Sequence, residues 1–147
     1  MFTTHVFIRK NTLEIRQKLN ELWYELCLCS ATGGDSWLYN IGNTIHAVGP
    51  EEQDIFIEDM KLFKSERVDC GTNDKLFLAL AALNDDNDYM QYFTNGYDFI
   101  LCDRKDWVDM YSVLCSGESH GYQDVLDNYH KASKEEIIEY FKQKKWD

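Results

Sequence analysis

Trp37-Leu38-Tyr39-Asn40-Ile41-Gly42-Asn43-Thr44-Ile45-His46-Ala47-Val48 is the stretch on which the fold turns. Trp37 to Ile41 and Thr44 to Val48 each read as a strand, rich in β-branched and aromatic residues. Gly42-Asn43 joins them as a tight turn. Gly49-Pro50 ends this sheet segment. Pro50 followed by Glu51, Glu52 and Asp54 then marks a helix start, with proline in the first turn and acids where the helix dipole favours them. Phe56, Met60 and Phe63 share one face of that helix, with Ile55, Asp59 and Leu62 alongside; part of this stretch also admits a strand.

Upstream, His5 to Arg9 reads as a first strand. Asn11 with Glu14 has the spacing of a capping box, and Leu13, Ile15, Leu19 and Leu22 recur at helical spacing. Glu25 to Cys29 reads as a second strand, followed by a turn over Ala31 to Asp35. Downstream, Arg67 to Cys70 predicts a fifth strand. Asn73 to Leu83 predicts a helix apolar all round, hence buried. Asn84 to Asp88 stops it. Tyr89–Thr94 and Tyr97–Cys102 flank Asn95-Gly96, a hairpin signature. Trp107, Met110, Tyr111 and Leu114 suit a short helix. Ser133 with Glu136 forms a second capping box, opening a last helix with Ile137, Ile138, Tyr140 and Phe141.

The expected class is therefore α+β: one domain over residues 1–147, with a mixed or antiparallel sheet and helices packed on it. The order strand, helix, strand, strand occurs from His5 and again from Arg67. Ile15, Leu19 and Leu22 match Leu76, Leu80 and Leu83 at one offset, which leaves a duplicated βαββ unit open.

A chain of 147 residues, 44% hydrophobic and 14% aromatic, with one proline and 8 glycines, can bury its own core without a staple. Its net charge of −11 repels nucleic acid and anionic membranes and attracts basic proteins. The five cysteines have no CxxC spacing, and the N-terminus MFTTHVFIRK is not a signal peptide. No apolar run reaches the length of a membrane span. These features predict a cytoplasmic protein with free thiols, no membrane association and no direct nucleic-acid binding.

Three constellations are candidates for chemistry. Cys70-Gly71-Thr72 sits between a strand and a buried helix, where backbone N–H groups can hold an anion or ligand, or lower the pKa of a thiol. Its plain alternative is a buried structural cysteine, a glycine turn and a threonine cap. His5 and His46, with Glu25 or Glu66, could share a metal, although single histidines on strands are more often half-buried side chains. His120 and His130 read as solvated. The third constellation is acidic: Glu51, Glu52, Asp54, Glu58 and Asp59 on one helix, and Asp85, Asp86 and Asp88 at one corner. Asp103, Asp106 and Asp109 continue the trend. Such carboxylates complement a basic partner, or simply solvate a face. No Walker loop, GxGxxG, HExxH, GxSxG or CxxC motif is present, so no catalytic residue, metal or cofactor is assigned.

The segments FIRKNTLEIRQKLNEL (7–22), CGTNDKLFLALAALNDDNDYMQYFTNG (70–96) and YHKASKEEIIEYFK (129–142) resemble small acidic proteins of gut bacteria, their phages and mobile elements. The resemblance implies an accessory role, as an inhibitor of host defence or an immunity protein. It differs in one respect: the first helix runs into Trp23-Tyr24, where a helix-ending glycine is expected. HVFIRKN (5–11), then a helix and three strands, is also similar to the βαβββ module of the glyoxalase and bleomycin-resistance family. That likeness implies a metal- or small-molecule-binding domain, with an enzyme activity open and His5 at the first metal position. The second module lacks the corresponding histidine, and the helix from Pro50 to Lys64 interrupts the spacing.

Two functional expectations result. One is a protein-binding inhibitor, immunity or anti-defence factor that blocks a basic partner, such as a nuclease or defence effector, through Glu51, Glu52, Asp54, Glu58, Asp59, Asp85, Asp86 and Asp88. The other is a small-molecule or metal site in the sheet. Edge strands and strand aromatics leave room for a homodimer.

Overall fold

The computed structural model describes residues 2–28, 35–63, 67–108 and 128–144. It is α+β, and it groups into two compact units, residues 1–81 and 82–147. The division falls at the end of a buried helix and not at a Gly/Pro/Ser-rich linker, so a sequence reading of one continuous domain finds no boundary there.

In the first unit the elements run β1 (Val6–Ile8), α1 (Leu13–Glu21), β2 (Glu25–Cys27), β3 (Trp37–Ile41), β4 (Thr44–Val48), α2 (Gln53–Phe63), β5 (Val68–Asp69) and α3 (Asp74–Ala81). A 3₁₀ turn, Pro50–Glu52, leads into α2. The strands form one mixed sheet in the order β2-β4-β3-β1-β5. β1 pairs antiparallel with β3 and parallel with β5, and β2 runs parallel to β4. The β3–β4 hairpin has the bounds its sequence predicts, with Ile41 opposite Thr44 and Gly42 at φ +57° in the turn.

Val6, Phe7 and Ile8 are all buried, because helices cover both faces of the sheet at β1. Phe7 meets Phe56 of α2 edge-on at 5.4 Å, and Tyr39 lies 4.9 Å from the same ring. On the other face lie Val6, Ile8, Leu38 and Ile45, beneath α1 and α3. Ile15, Leu19, Phe77 and Leu80 complete that core. Burying four such side chains contributes roughly 1.5–3 kcal/mol each.

Several local expectations are corrected. Thr12, not Asn11, caps α1: its hydroxyl accepts the Ile15 N–H at 3.2 Å. Asn11 is buried instead, donating to Ser36 at 2.9 Å and accepting from Arg16. The capping-box spacing misled because the side chain that could cap was drawn into the core. Leu13 fits the helical period but is exposed, in the first turn of α1. Trp23 occupies the position after α1 that favours glycine, at φ 69°. The helix closes there with Tyr24 N–H bonded to Leu19 O at 3.1 Å. The second strand ends at Cys27; Cys29 lies outside the described residues, as do residues 31–34 of the turn.

The second unit contains β6 (Tyr92–Thr94), β7 (Phe99–Leu101), β8 (His130–Lys131) and α4 (Lys134–Lys144). Its antiparallel sheet has the order β7-β6-β8. The Asn95-Gly96 hairpin forms, but as a four-residue loop closed by the pair Thr94–Phe99. Asn95 Oδ1 accepts the N–H groups of Tyr97 and Asp98, and Gly96 sits at φ +100°. The Ser133–Glu136 capping box is formed reciprocally, at 3.0 and 3.2 Å. Phe99 stacks on Tyr140, and Tyr92 meets Phe141 edge-on. Met110, Tyr111, Leu114 and the loop 116–121 lie outside the described residues.

The duplicated βαββ unit is not what the chain builds. β5 adds to the first sheet beside β1, so β5 and α3 complete the first unit and do not open a second copy. The matched leucines reflect two helices packing with the same period.

Candidate functional site

α2 presents a surface where exposed acids and exposed apolar side chains lie side by side. Gly49 and Pro50 start its leading turn, and Glu51, Glu52 and Asp54 fall in the first turns, where the dipole favours acids. Gln53, Phe56, Ile57 and Met60 recur at helical spacing and are half-buried toward the sheet. Gln53 anchors this side by donating to Asp35 O at 2.8 Å.

The opposite side carries Ile55, Glu58 and Leu62 along one line, with Asp54 on one flank and Asp59 on the other, and Glu51 and Glu52 are exposed on the 3₁₀ turn that leads in. Ile55 is 61% exposed and Leu62 74%. All five predicted partner-binding acids of this turn and helix are exposed. Among the described residues, only Glu58 meets a cation, Lys61 at 3.9 Å. Sequence periodicity identified this helix and its acids. It set Ile55 and Leu62 beside the buried stripe, however, and did not show them pointing outward.

The second acidic cluster divides. Asp85 and Asp86 are exposed, and Asp86 N–H bonds to Asn84 Oδ1 at 2.8 Å. Asp88 is turned inward: one carboxylate oxygen accepts the Trp107 N–H at 2.8 Å and the other meets Lys131 at 3.0 Å. Lys131 also donates to Asn87 O and Asn84 O, at 3.1 and 3.3 Å. The oxygens of this loop thus hold a cation, but it is the chain's own ammonium group. Asp88 is therefore engaged within its own unit, whereas Asp85 and Asp86 face solvent.

Cys70, Gly71 and Thr72 are brought together where expected, between β5 and α3. The Gly71 N–H is bonded to Asp69 Oδ1 at 2.9 Å, so the chain's own carboxylate occupies the anion position. Asp69 in turn takes the Arg9 guanidinium at 2.6–3.2 Å. Burial, reinforced by the Asp69 charge, pushes the Cys70 thiol up to about 12, the reverse of an activated nucleophile. Asn73, not Thr72, supplies the side-chain cap of α3, accepting the Leu76 N–H at 3.1 Å.

The histidines do not converge on a metal. His5 is exposed ahead of β1, and His46 stacks on Tyr39 at 5.4 Å. Among the described residues no three His, Cys, Asp or Glu side chains are grouped to hold an ion. Glu66, His120 and Asp109 lie outside them. His130, read from sequence as solvated, bonds both oxygens of Glu136 at 2.9 Å.

Arg9 and Arg67 had no assigned role in the sequence. Each lies over a ring of the α2-side sheet face: Arg9 over Trp37 at 4.5 Å and Arg67 over Tyr39 at 4.9 Å. Burial lowers the Arg67 pKa, and its guanidinium donates to Asn40 O. No helix among the described residues is long and apolar enough to cross a membrane.

No protein-family model, curated protein or solved structure matches the chain. The α+β fold and the outer face of α2 are thus the features from which a function can be argued.

Proposed function

We propose that the chain is a small acidic protein-binding domain that blocks a basic partner, such as a nuclease or defence effector, as an inhibitor, immunity or anti-defence factor. The observation that carries this reading is the outward display of Glu51 and Glu52 on the 3₁₀ turn and of Asp54, Glu58 and Asp59 on α2, which follows it in the first unit. A helix docked on a sheet is rigid, so the backbone positions of its acids hold fixed spacings. Complementary charge of this kind accelerates encounter and selects partners, and it weakens as salt screens it. The net charge of −11 adds a long-range field of the same sign.

The test is capture on the tagged full chain from a gut-bacterial lysate that carries defence systems, at low and high salt. The captured protein is then purified and assayed with and without the chain. The expected result is one basic protein, bound stoichiometrically, released by salt and inactivated by the chain. A bound protein that is acidic, or a complex indifferent to salt, would count against the reading.

A further inference from the structure

Ile55 and Leu62 are seven residues apart, two turns along α2, so their side chains emerge from the same line about 10 Å apart. Both are more than half exposed, whereas Phe56, Ile57 and Met60 turn toward the sheet. An aliphatic pair framed by Glu51, Asp54, Glu58 and Asp59 is not needed for solubility or for the core. We propose that α2 docks helix-in-groove: Ile55 and Leu62 fill two apolar sockets of the partner, and Lys or Arg side chains on the rim of that groove meet the flanking carboxylates.

Charge decides the occupant. A second copy of this chain would bring the same five carboxylates of each protomer together across the contact, which like-charge repulsion opposes. An anionic bilayer is repelled for the same reason. A groove with a cationic rim satisfies both the apolar pair and the acids. This inference rests on the basic-partner reading above, but the two parts of the surface have separable signatures. Carboxylates act mainly on association rate and salt dependence, and buried aliphatic anchors on dissociation rate.

The experiment uses the basic protein recovered above, purified, and three forms of the full chain: the native sequence, Ile55→Gln/Leu62→Gln, and Asp54→Asn/Glu58→Gln/Asp59→Asn. The first variant should weaken binding about 10- to 100-fold at low and high salt alike, through faster dissociation. The second should slow association and flatten the salt dependence. A photo-reactive leucine at position 62 should cross-link to an apolar residue of the partner adjacent to Lys or Arg; one at position 13, exposed on α1, should not. This readout uses an otherwise native chain and stands even if a variant folds poorly.

If the glutamine variant binds like the native chain while the charge variant does not, the basic-partner reading survives and this docking mode fails. If position 62 cross-links to a second copy, or if vesicles bind the native chain and not the glutamine variant, the groove is overturned. If no basic protein binds the native chain, both fall.

Discussion

Asn40 Oδ1 accepts the backbone N–H of Val6 at 2.9 Å, a side chain of β3 completing the hydrogen bonding of β1. The same carboxamide donates to Thr4 O at 2.9 Å and to Tyr24 Oη at 3.2 Å. Tyr24 in turn donates to Ala81 O at 2.7 Å, at the end of α3. A single buried amide therefore links β3, the entry to β1 and Tyr24 in the turn between α1 and β2, and through the Tyr24 hydroxyl the last turn of α3. Burial pushes the Tyr24 phenol well above its ordinary value, so it stays a neutral donor.

Replacing Asn40 by Leu should lower unfolding free energy by about 2–4 kcal/mol, because the Val6 N–H and Thr4 carbonyl would be left buried and unpaired. Tyr24→Phe should cost less, about 1–2 kcal/mol, since Asn40 keeps its two backbone partners. Urea denaturation followed by circular dichroism checks both. Equal stability of Asn40→Leu and the native chain would show that the network contributes nothing net.

Acid should weaken the fold through Asp69 and Glu136. Burial alone would raise the Asp69 pKa, but Arg9 and the Gly71 N–H outweigh it and hold the carboxylate below 3.8. For Glu136, burial is likewise outweighed by the Ser133 N–H and by His130, which hold it below 4.5. Both folded pKa values are depressed, so their stabilisation is complete above these ordinary values and is lost as pH falls through the lower folded ones. Thermal unfolding should therefore show a smaller acid-side decline in Asp69→Asn and Glu136→Gln than in the native chain. Parallel pH profiles would contradict the assignment.

Native-state alkylation should discriminate the cysteines. Cys27 is exposed, whereas Cys70 and Cys102 are buried. With its thiol pushed up to about 12, Cys70 is ionised in about one molecule in ten thousand at pH 8. Iodoacetamide labelling read by mass spectrometry should modify Cys27 before Cys70 and Cys102, and reach those two only on unfolding. Rapid labelling of Cys70 in the folded chain would revive a reactive-thiol role.

Lys131→Met should destabilise the second unit by about 1–3 kcal/mol, because it strips the cation from Asp88, Asn87 O and Asn84 O. Arginine should not restore the loss, since a planar guanidinium does not fit a site shaped around a compact ammonium. The melting temperatures of Lys131→Met and Lys131→Arg test this directly. Full stability of the arginine variant would show that charge alone suffices.

The features read correctly from sequence are those set by neighbours along the chain. The Trp37–Val48 hairpin, the proline start before α2, the buried helix after Asn73 and the Ser133–Glu136 box each depend on φ preferences, hydrogen bonds within one turn or a local hydrophobic period. The missing glycine after α1 was also legible: Trp23 stands there in the left-handed conformation that glycine would take at less cost. Tertiary structure alone decided the choices between long-range partners. Thr12 and Asn11 compete for one cap, and the Ser36 hydroxyl, brought near by folding, draws Asn11 away. β5 has equal local right to open a repeat or to close the first sheet, and pairing with β1 settles it. Asp88 looks like its acidic neighbours until Lys131, forty-three positions later, folds against it. Ile55 and Phe56 are adjacent apolar residues, and only the placement of the sheet determines that Phe56 is covered while Ile55 faces solvent. Periodicity gives a helix two sides, but it takes a packed neighbour to say which one is inside.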